Sequence, residues 1–174
     1  VSLEDGTVLG ADYLLVAVGR GPATDGLGFE EAGVTIDRGF VTVDERLATS
    51  APHVYAVGDI VPGLQLAHRS FQQGIFVAEQ IAGAHPIAVP EASIPRVTYS
   101  SPEVASVGET EETLKAKGRA YKVGKFPFQG NARAKSYFMG EGFVKILADK
   151  ETDRILGAHI IGPQAGELIS EVCV

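Results

Sequence analysis

The densest group of chemistry-bearing residues lies between Thr49 and His68. Thr49-Ser50-Ala51-Pro52-His53-Val54-Tyr55-Ala56-Val57 delivers an apolar run to Gly58 and then to one carboxylate, Asp59. If residues 53–57 form a buried strand of an open α/β sheet, Gly58 and Asp59 stand at its carboxyl end, where such sheets bind ligands. Gly58 admits a ligand close to the backbone, and Asp59 is an acceptor for a pair of hydroxyls. An aspartate that only stabilises a turn fits the same spacing. Leu66-Ala67-His68 then stands at the start of a helical pattern. Free N–H groups and the positive end of the helix dipole would there hold an anion or an electron-rich ring edge. An ordinary helix start would read the same way. Gly19-x-Gly21-x-x-Thr24 has part of a dinucleotide fingerprint, but Thr24 replaces the glycine that lets helix pack on strand, and no strong helix follows. A sharp exit from a sheet is the better reading of Gly19 and Gly21.

The other candidates carry less. His53, His85 and His159 are isolated and have no metal-ligand spacing, so no metal is assigned. His159 is expected to face a neighbour in a sheet, and His68 alone is no sign of acid–base chemistry. The lone cysteine, Cys173, excludes a disulfide within the chain and a multi-cysteine zinc site, and reads as a buried or incidental thiol. Phe126, Phe128, Tyr137 and Phe138 read as core or interface packing. Arg133 and Lys135 read as interface residues in a loop-like stretch, and Lys115 and Lys117 as a solvated helix end.

Two kinds of local grammar must position these residues. Residues 1–9 read as a hairpin around Asp5-Gly6, and 12–18 as a strand buried on both faces. A helical turn near Leu27–Ala32 and a short strand at Phe40–Val43 follow. Residues 69–82 show helical spacing at Phe71, Ile75, Ala78 and Ile81 or Ala82, with Gly83 as the stop and 84–90 as a linker. Beyond it, Val97–Tyr99 and Val104–Val107 read as strands. Thr110 caps a helix over Glu111–Lys117. Residues 120–128 read as a strand interrupted by Gly124 and Pro127. Phe143–Ala148 and Arg154–Ile161 form an antiparallel hairpin around Asp149–Asp153. From Gln164 an amphipathic helix presents Ala165, Leu168, Ile169 and Val172 on one face. The expected fold is thus an α/β segment followed by an α+β segment.

Charge divides at the same place. Of 174 residues, 1–88 hold eleven acids and four arginines, a net of −7, whereas 89–174 hold eleven acids and eleven bases. No basic block provides a nucleic-acid footprint. No apolar run approaches the ~18 residues that span a bilayer, and no charged-then-apolar leader opens the chain. Val1 begins in a strand-like stretch and Val174 ends in a helical one, so the chain is expected to be part of something longer.

Three stretches carry a resemblance. They are Asp12-Tyr-Leu-Leu-Val-Ala-Val-Gly-Arg-Gly-Pro22; Thr49–Asp59 with Leu66-Ala67-His68; and a set comprising Tyr99–Gly108, Lys122–Phe128, Asn131–Ala134 and Asp153–Pro163. Together they resemble the pyridine nucleotide-disulfide oxidoreductases. The Lys125-Phe-Pro-Phe128 and Asn131-Ala-Arg-Ala134 segments favour the dihydrolipoamide-oxidising branch.

The resemblance implies an FAD/NAD(P)-binding segment followed by a dimerisation domain. Residues 1–22 would end the NAD-binding domain, 23–88 would complete the FAD-binding domain, and 89–174 would form an incomplete dimerisation domain. It implies FAD and NAD as cofactors, with Gly19, Gly58, Asp59, Leu66, Ala67 and His68 as the cofactor-binding positions. Asp59 would bond the ribityl chain, and the Ala67 backbone would lie by the flavin pyrimidine edge. The implied activity oxidises protein-bound dihydrolipoamide and passes electrons through a disulfide and the flavin to NAD⁺. The implied partners are a second copy and the lipoyl domains of 2-oxoacid dehydrogenase or glycine-cleavage complexes, with neither nucleic acid nor membrane, in the cytoplasm. The redox cysteine pair and the His-Glu base would both lie outside this chain, so none of its residues is catalytic and alone it should not turn over. The rival readings are a sister flavoprotein, such as a glutathione or mercuric reductase or a soluble transhydrogenase, and a non-catalytic dimerisation module that binds no flavin.

Overall fold

The computed structural model describes residues 1–173. Its first half is held by short-range structure. Val1–Leu9 closes as expected: Leu3 N donates to Thr7 O at 2.9 Å, Ser2 bridges Val8, and Gly6 takes φ +84° at the turn. Two strands, β1 (Ile36–Asp37) and β2 (Phe40–Val41), pair antiparallel, Ile36 with Val41. Of these, the sequence pattern predicts only the second. Behind this hairpin Val34, Val41, Ala51, Ala56 and Val61 form a small core. Thr24 is buried beside it, and its hydroxyl donates to Gly39 O. The residue that spoils the fingerprint therefore anchors a turn. The helical turn expected near Leu27–Ala32 is present as the Ala32 N to Gly28 O bond, 3.1 Å.

Two expected strands are not formed. Residues 12–18 adopt no regular structure, and Tyr13 and Val18 are 93% and 92% exposed. In place of a strand over 53–57 there is an isolated bridge between Ala48 and Tyr55, made by Thr49 N to Val54 O and Ala56 N to Leu47 O, with Val54 and Tyr55 exposed. A strand buried on both faces is stabilised by neighbouring strands and by helices over the sheet. Among the described residues neither run has them, so the apolar pattern is present without the structure it encodes.

The second half is an antiparallel sheet in the order β3-β4-β7-β6-β5. Its strands are β3 (Arg96–Thr98), β4 (Glu103–Gly108), β5 (Tyr121–Pro127), β6 (Phe143–Asp149) and β7 (Ile155–Gly162). β5 runs unbroken through Gly124, correcting the interruption expected there, and ends at Pro127, after which Phe128 opens a 3-10 turn. β5 is an edge strand, where a missing N–H costs no ladder bond. Helix α1 (Ala67–Ile81) precedes the sheet, α2 (Glu111–Ala116) and α3 (Ala132–Ser136) are interleaved with it, and α4 (Ala165–Leu168) follows it.

One sheet face carries the main core. Ala105, Val107, Ala158 and Ile160 pack there with Ala165 of α4 and Ile169 of the following 3-10 turn. Strand alternation sends Leu147 to the opposite face, since its neighbour Ile146 packs with that core. Helix α2 lies on the opposite face too, with Leu114 buried and Glu111 accepting from Lys145 and from the Tyr121 hydroxyl. Lys145, then Tyr121, holds the Glu111 carboxyl below its ordinary range. Thr110 caps α2 as expected, accepting from Thr113 N at 3.2 Å, and Thr113 returns the favour to Thr110 N. The stretch read as loop-like around Arg133 and Lys135 is helix α3, started by Asn131, whose Oδ1 accepts from Ala134 N.

The β6–β7 turn is organised by Asp149. Its Oδ1 accepts from Glu151 N and Thr152 N, and Oδ2 accepts from Arg119. The Thr152 and Glu151 amides hold its carboxyl well below the ordinary range. A depressed folded-state value means stability present above the ordinary aspartate pKa of about 3.9 and lost as the pH falls from there toward the depressed value. Asp149→Asn is therefore expected to melt below wild type at pH 7, with the gap narrowing toward pH 2. A gap independent of pH would show that charge on Asp149 contributes nothing.

Candidate functional site

The chain leaves Ala56 in extended backbone, and Gly58–Ile60 makes one 3-10 turn. Gly58 takes φ +85°, a conformation that side-chain-bearing residues rarely adopt, and an added Cβ would stand 3.2 Å from Ser70 Oγ. The Asp59 side chain is exposed and accepts no hydrogen bond among the described residues. Its backbone carbonyl lies 3.4 Å from Gln65 Nε2, which brings the approach to α1 back to the turn.

Helix α1 begins one residue after Leu66, which is extended and offers no side-chain cap. Ser70 N is the donor that reaches Leu66 O. The N–H groups of the first turn have no intrahelical acceptor and carry the positive end of a 15-residue helix dipole. His68 is exposed, and its Nε2 stands 2.8 Å from Pro95 O. Its imidazole is thus engaged with the segment entering β3, which leaves its backbone amide as the group available to a ligand.

Gly58, Asp59, Leu66, Ala67 and His68 therefore share one neighbourhood, the turn and the helix N-terminus packed against it. Gly19 has φ +111° in the irregular stretch after residue 9, and no hydrogen bond among the described residues joins it to that neighbourhood. The observed helix starts two residues before the expected one. Its packing is also reversed: Phe71, Ile75 and Ile81 are exposed, whereas Arg69, Gln73 and Phe76 face the chain's own core. The apolar stripe at 71, 75, 78 and 81 has no partner among the described residues, so burial followed the residues that could bond the Gly58 turn.

Two residues of the site escaped the sequence reading. Arg69 is buried and donates to Pro62 O at 2.6 Å, to Gly58 O at 3.4 Å and to Glu91 Oε1. Gln73 Oε1 accepts from Gly58 N at 2.7 Å. The available signal was their spacing: Arg69, Gln73 and Phe76 fall at i, i+4 and i+7 on one helix face.

The other residues singled out in the sequence are engaged in pairing and packing or lie exposed. His159 pairs across the sheet with Ser106 and Lys145, its Nε2 lies 3.1 Å from Glu109 O, and burial lowers its pKa. The Cys173 thiol donates to Ile169 O, and burial pushes it above the ordinary thiol range. Phe128 packs against the sheet core, whereas Phe126, Tyr137 and Phe138 are exposed. Among the described residues no cluster of three or more His, Cys, Asp or Glu is placed to hold a metal. No helix there is long and apolar enough to cross a membrane.

Two family descriptions match the chain. "Pyridine nucleotide-disulphide oxidoreductase" matches residues 1–74, and "Pyridine nucleotide-disulphide oxidoreductase, dimerisation domain" matches 94–174. The chain belongs to the pyridine nucleotide-disulphide oxidoreductase family. Its fold class is the one expected, an FAD/NAD-binding segment followed by a dimerisation segment. Among similar family members, a mitochondrial dihydrolipoyl dehydrogenase of Caenorhabditis elegans is 52% identical over 164 residues, which is 94% of this chain and 33% of that protein. The crystal structure of LpdA from Mycobacterium tuberculosis superposes with a TM-score of 0.87 at 31% identity, covering 99% of this chain and 38% of that one. The HOCl-induced flavoprotein disulfide reductase RclA from Escherichia coli gives 0.82 at 32% identity, covering 93% and 38%. The chain thus spans about a third of the length of the curated relatives it matches.

For a family whose members use FAD and NAD, the residues present fit a flavin nucleotide. The turn can be formed only by a residue tolerant of φ +85°, the Asp59 carboxylate is free and outward, and unpaired amides open beside it.

Proposed function

We propose that this chain is part of an FAD-dependent dihydrolipoyl dehydrogenase, and that the Gly58–Asp59 turn and the α1 N-terminus form the part of its flavin site that the chain contributes. The observation that carries the reading is the unpaired Asp59 carboxylate beside a helix N-terminus with open amides. When bound, FAD would supply two-electron transfer between a dithiol–disulfide couple and a nicotinamide. Asp59 would accept hydrogen bonds from neighbouring hydroxyls of the ribityl chain. The first-turn amides at Ala67 and His68 would donate to the electron-rich edge of the ring and stabilise negative charge there, by about 0.3–1 kcal/mol from the dipole alone. The His68–Pro95 contact would hold that turn in place. Gly19 would act at the exit of the nucleotide-binding sheet.

The finer assignments follow from the same reading. Residues 1–22, 23–88 and 89–174 would be the tail of the NAD-binding domain, the end of the FAD-binding domain and most of the dimerisation domain. The working state would be a homodimer, serving lipoyl domains of a 2-oxoacid dehydrogenase or glycine-cleavage complex. The cytoplasm fits a chain with one cysteine; a mitochondrial site is the alternative that cell fractionation would distinguish.

The test uses the full-length protein. It is expected to purify yellow, to hold one FAD per subunit and to reduce NAD⁺ with dihydrolipoamide. A flavoprotein that prefers another disulfide or a metal ion would move the assignment to a sister reductase. A colourless protein that takes up no FAD would leave only a dimerisation module.

A further inference from the structure

Among the described residues Arg69 is the one buried charged side chain, 4% exposed. Burying a guanidinium is costly unless its donors are all used. Here the donors diverge. Nη2 reaches Pro62 O, Nη1 reaches Gly58 O, and Nε reaches Glu91, whose side chain is half exposed. Gln73, one helical turn on, accepts from Gly58 N. Both backbone polar groups of Gly58 are thus held by two side chains of one helix face. Gly63 completes the arrangement: an added Cβ there would clash with Arg69 Nη2. Glu91 opens the 3-10 turn Glu91–Ser93 that leads into β3, and Ile94, just after it, is buried.

Packing alone does not require this. A buried apolar residue would fill the same place without a desolvation cost. What a planar fork adds is direction, because it fixes three acceptors at set angles. We propose that Arg69 is a positioning residue for the cofactor site: with Gln73 it fixes the Gly58 peptide, and so the direction in which Asp59 leaves the turn, and through Glu91 it couples that setting to the segment entering the five-stranded sheet. The proposal rests on the flavin reading given above.

The experiment compares wild type, Arg69→Gln, Arg69→Lys and Glu91→Gln in the full-length protein loaded with FAD. The rate of FAD release, the visible circular dichroism of the bound flavin and the thermal midpoint are measured for each. Arg69→Gln, which loses the charge and the fork that hold Gly58 O, is expected to release FAD about tenfold faster, with an altered dichroic band. Arg69→Lys keeps the charge without the fork and recovers part of the loss, and Glu91→Gln shows the same change at smaller size. Release rates and spectra equal to wild type, well below the midpoints, would overturn the proposal and leave Arg69 a packing residue even where the midpoints fall. If Arg69→Gln fails to fold, Glu91→Gln decides by the same two readouts. A wild-type protein that takes up no FAD refutes the flavin reading itself and the positioning role with it; wild-type flavin binding with insensitive variants refutes the positioning role alone.

Discussion

Asp59→Ala in the full-length protein is expected to weaken FAD binding by about 2 kcal/mol, roughly thirtyfold in the dissociation constant. Asp59 accepts nothing from the described residues, so its removal breaks no internal hydrogen bond. The loss should therefore appear in cofactor retention with little change in the stability of the apoprotein. Asp59→Asn keeps an acceptor oxygen and gives up the charge, and should fall between the two. The measurement is flavin retained per subunit after gel filtration at high salt, with fluorescence titration of the apoprotein for affinity. Retention equal to wild type in Asp59→Ala would mean that this carboxylate does not hold the flavin.

Leu147→Ala should destabilise the second half by about 3 kcal/mol, because truncating a buried leucine removes its transfer energy and leaves a cavity. Leu147 is 0% exposed, lies in β6 between β5 and β7, and shares its sheet face with α2. The backbone hydrogen bonds of β6 run to both neighbours and would resist collapse into the space. Denaturant unfolding of the full-length protein should show a lower midpoint for the transition of this segment at unchanged slope. An exposed apolar residue of the same kind, Val123 on the edge strand β5, provides the control: Val123→Ala should change the midpoint little. Equal effects at the two positions would show that Leu147 gains nothing from its central, buried place in the sheet.

The two halves of the chain differ in how much of their structure was legible. Beyond residue 95 the pattern was local and self-sufficient. Thr110 with its two following acids, the Asp149–Asp153 turn and the alternation through Phe143–Ala148 and Arg154–Ile161 each encode an element whose partners lie close in sequence. The loop-like reading around Arg133 and Lys135 turned on one cap: Asn131 Oδ1 accepts from Ala134 N and starts a helical turn. In the first half the apolar runs at 12–18 and 53–57 had the composition of buried strands, yet neither became one. A hairpin brings its own hydrogen-bond partner, whereas a strand of a parallel sheet borrows partners from distant segments, and composition carries no information on whether they are present.

The candidate site divides in the same way. Residue types and spacing were enough to single out Gly58, Asp59 and the Leu66-Ala67-His68 helix start, because a tolerant turn, a lone carboxylate and open amides are local properties. Only the tertiary structure decided which face of α1 turns inward, that Arg69 and Gln73 grip the two ends of the Gly58 peptide, and that His68 is engaged with Pro95. The hydrophobic periodicity of α1 pointed to Phe71 and Ile75, but a helix buries whichever face finds partners. Here hydrogen bonds to the carbonyls of Gly58 and Pro62, and the carboxylate of Glu91, outweighed an apolar stripe with nothing to pack against.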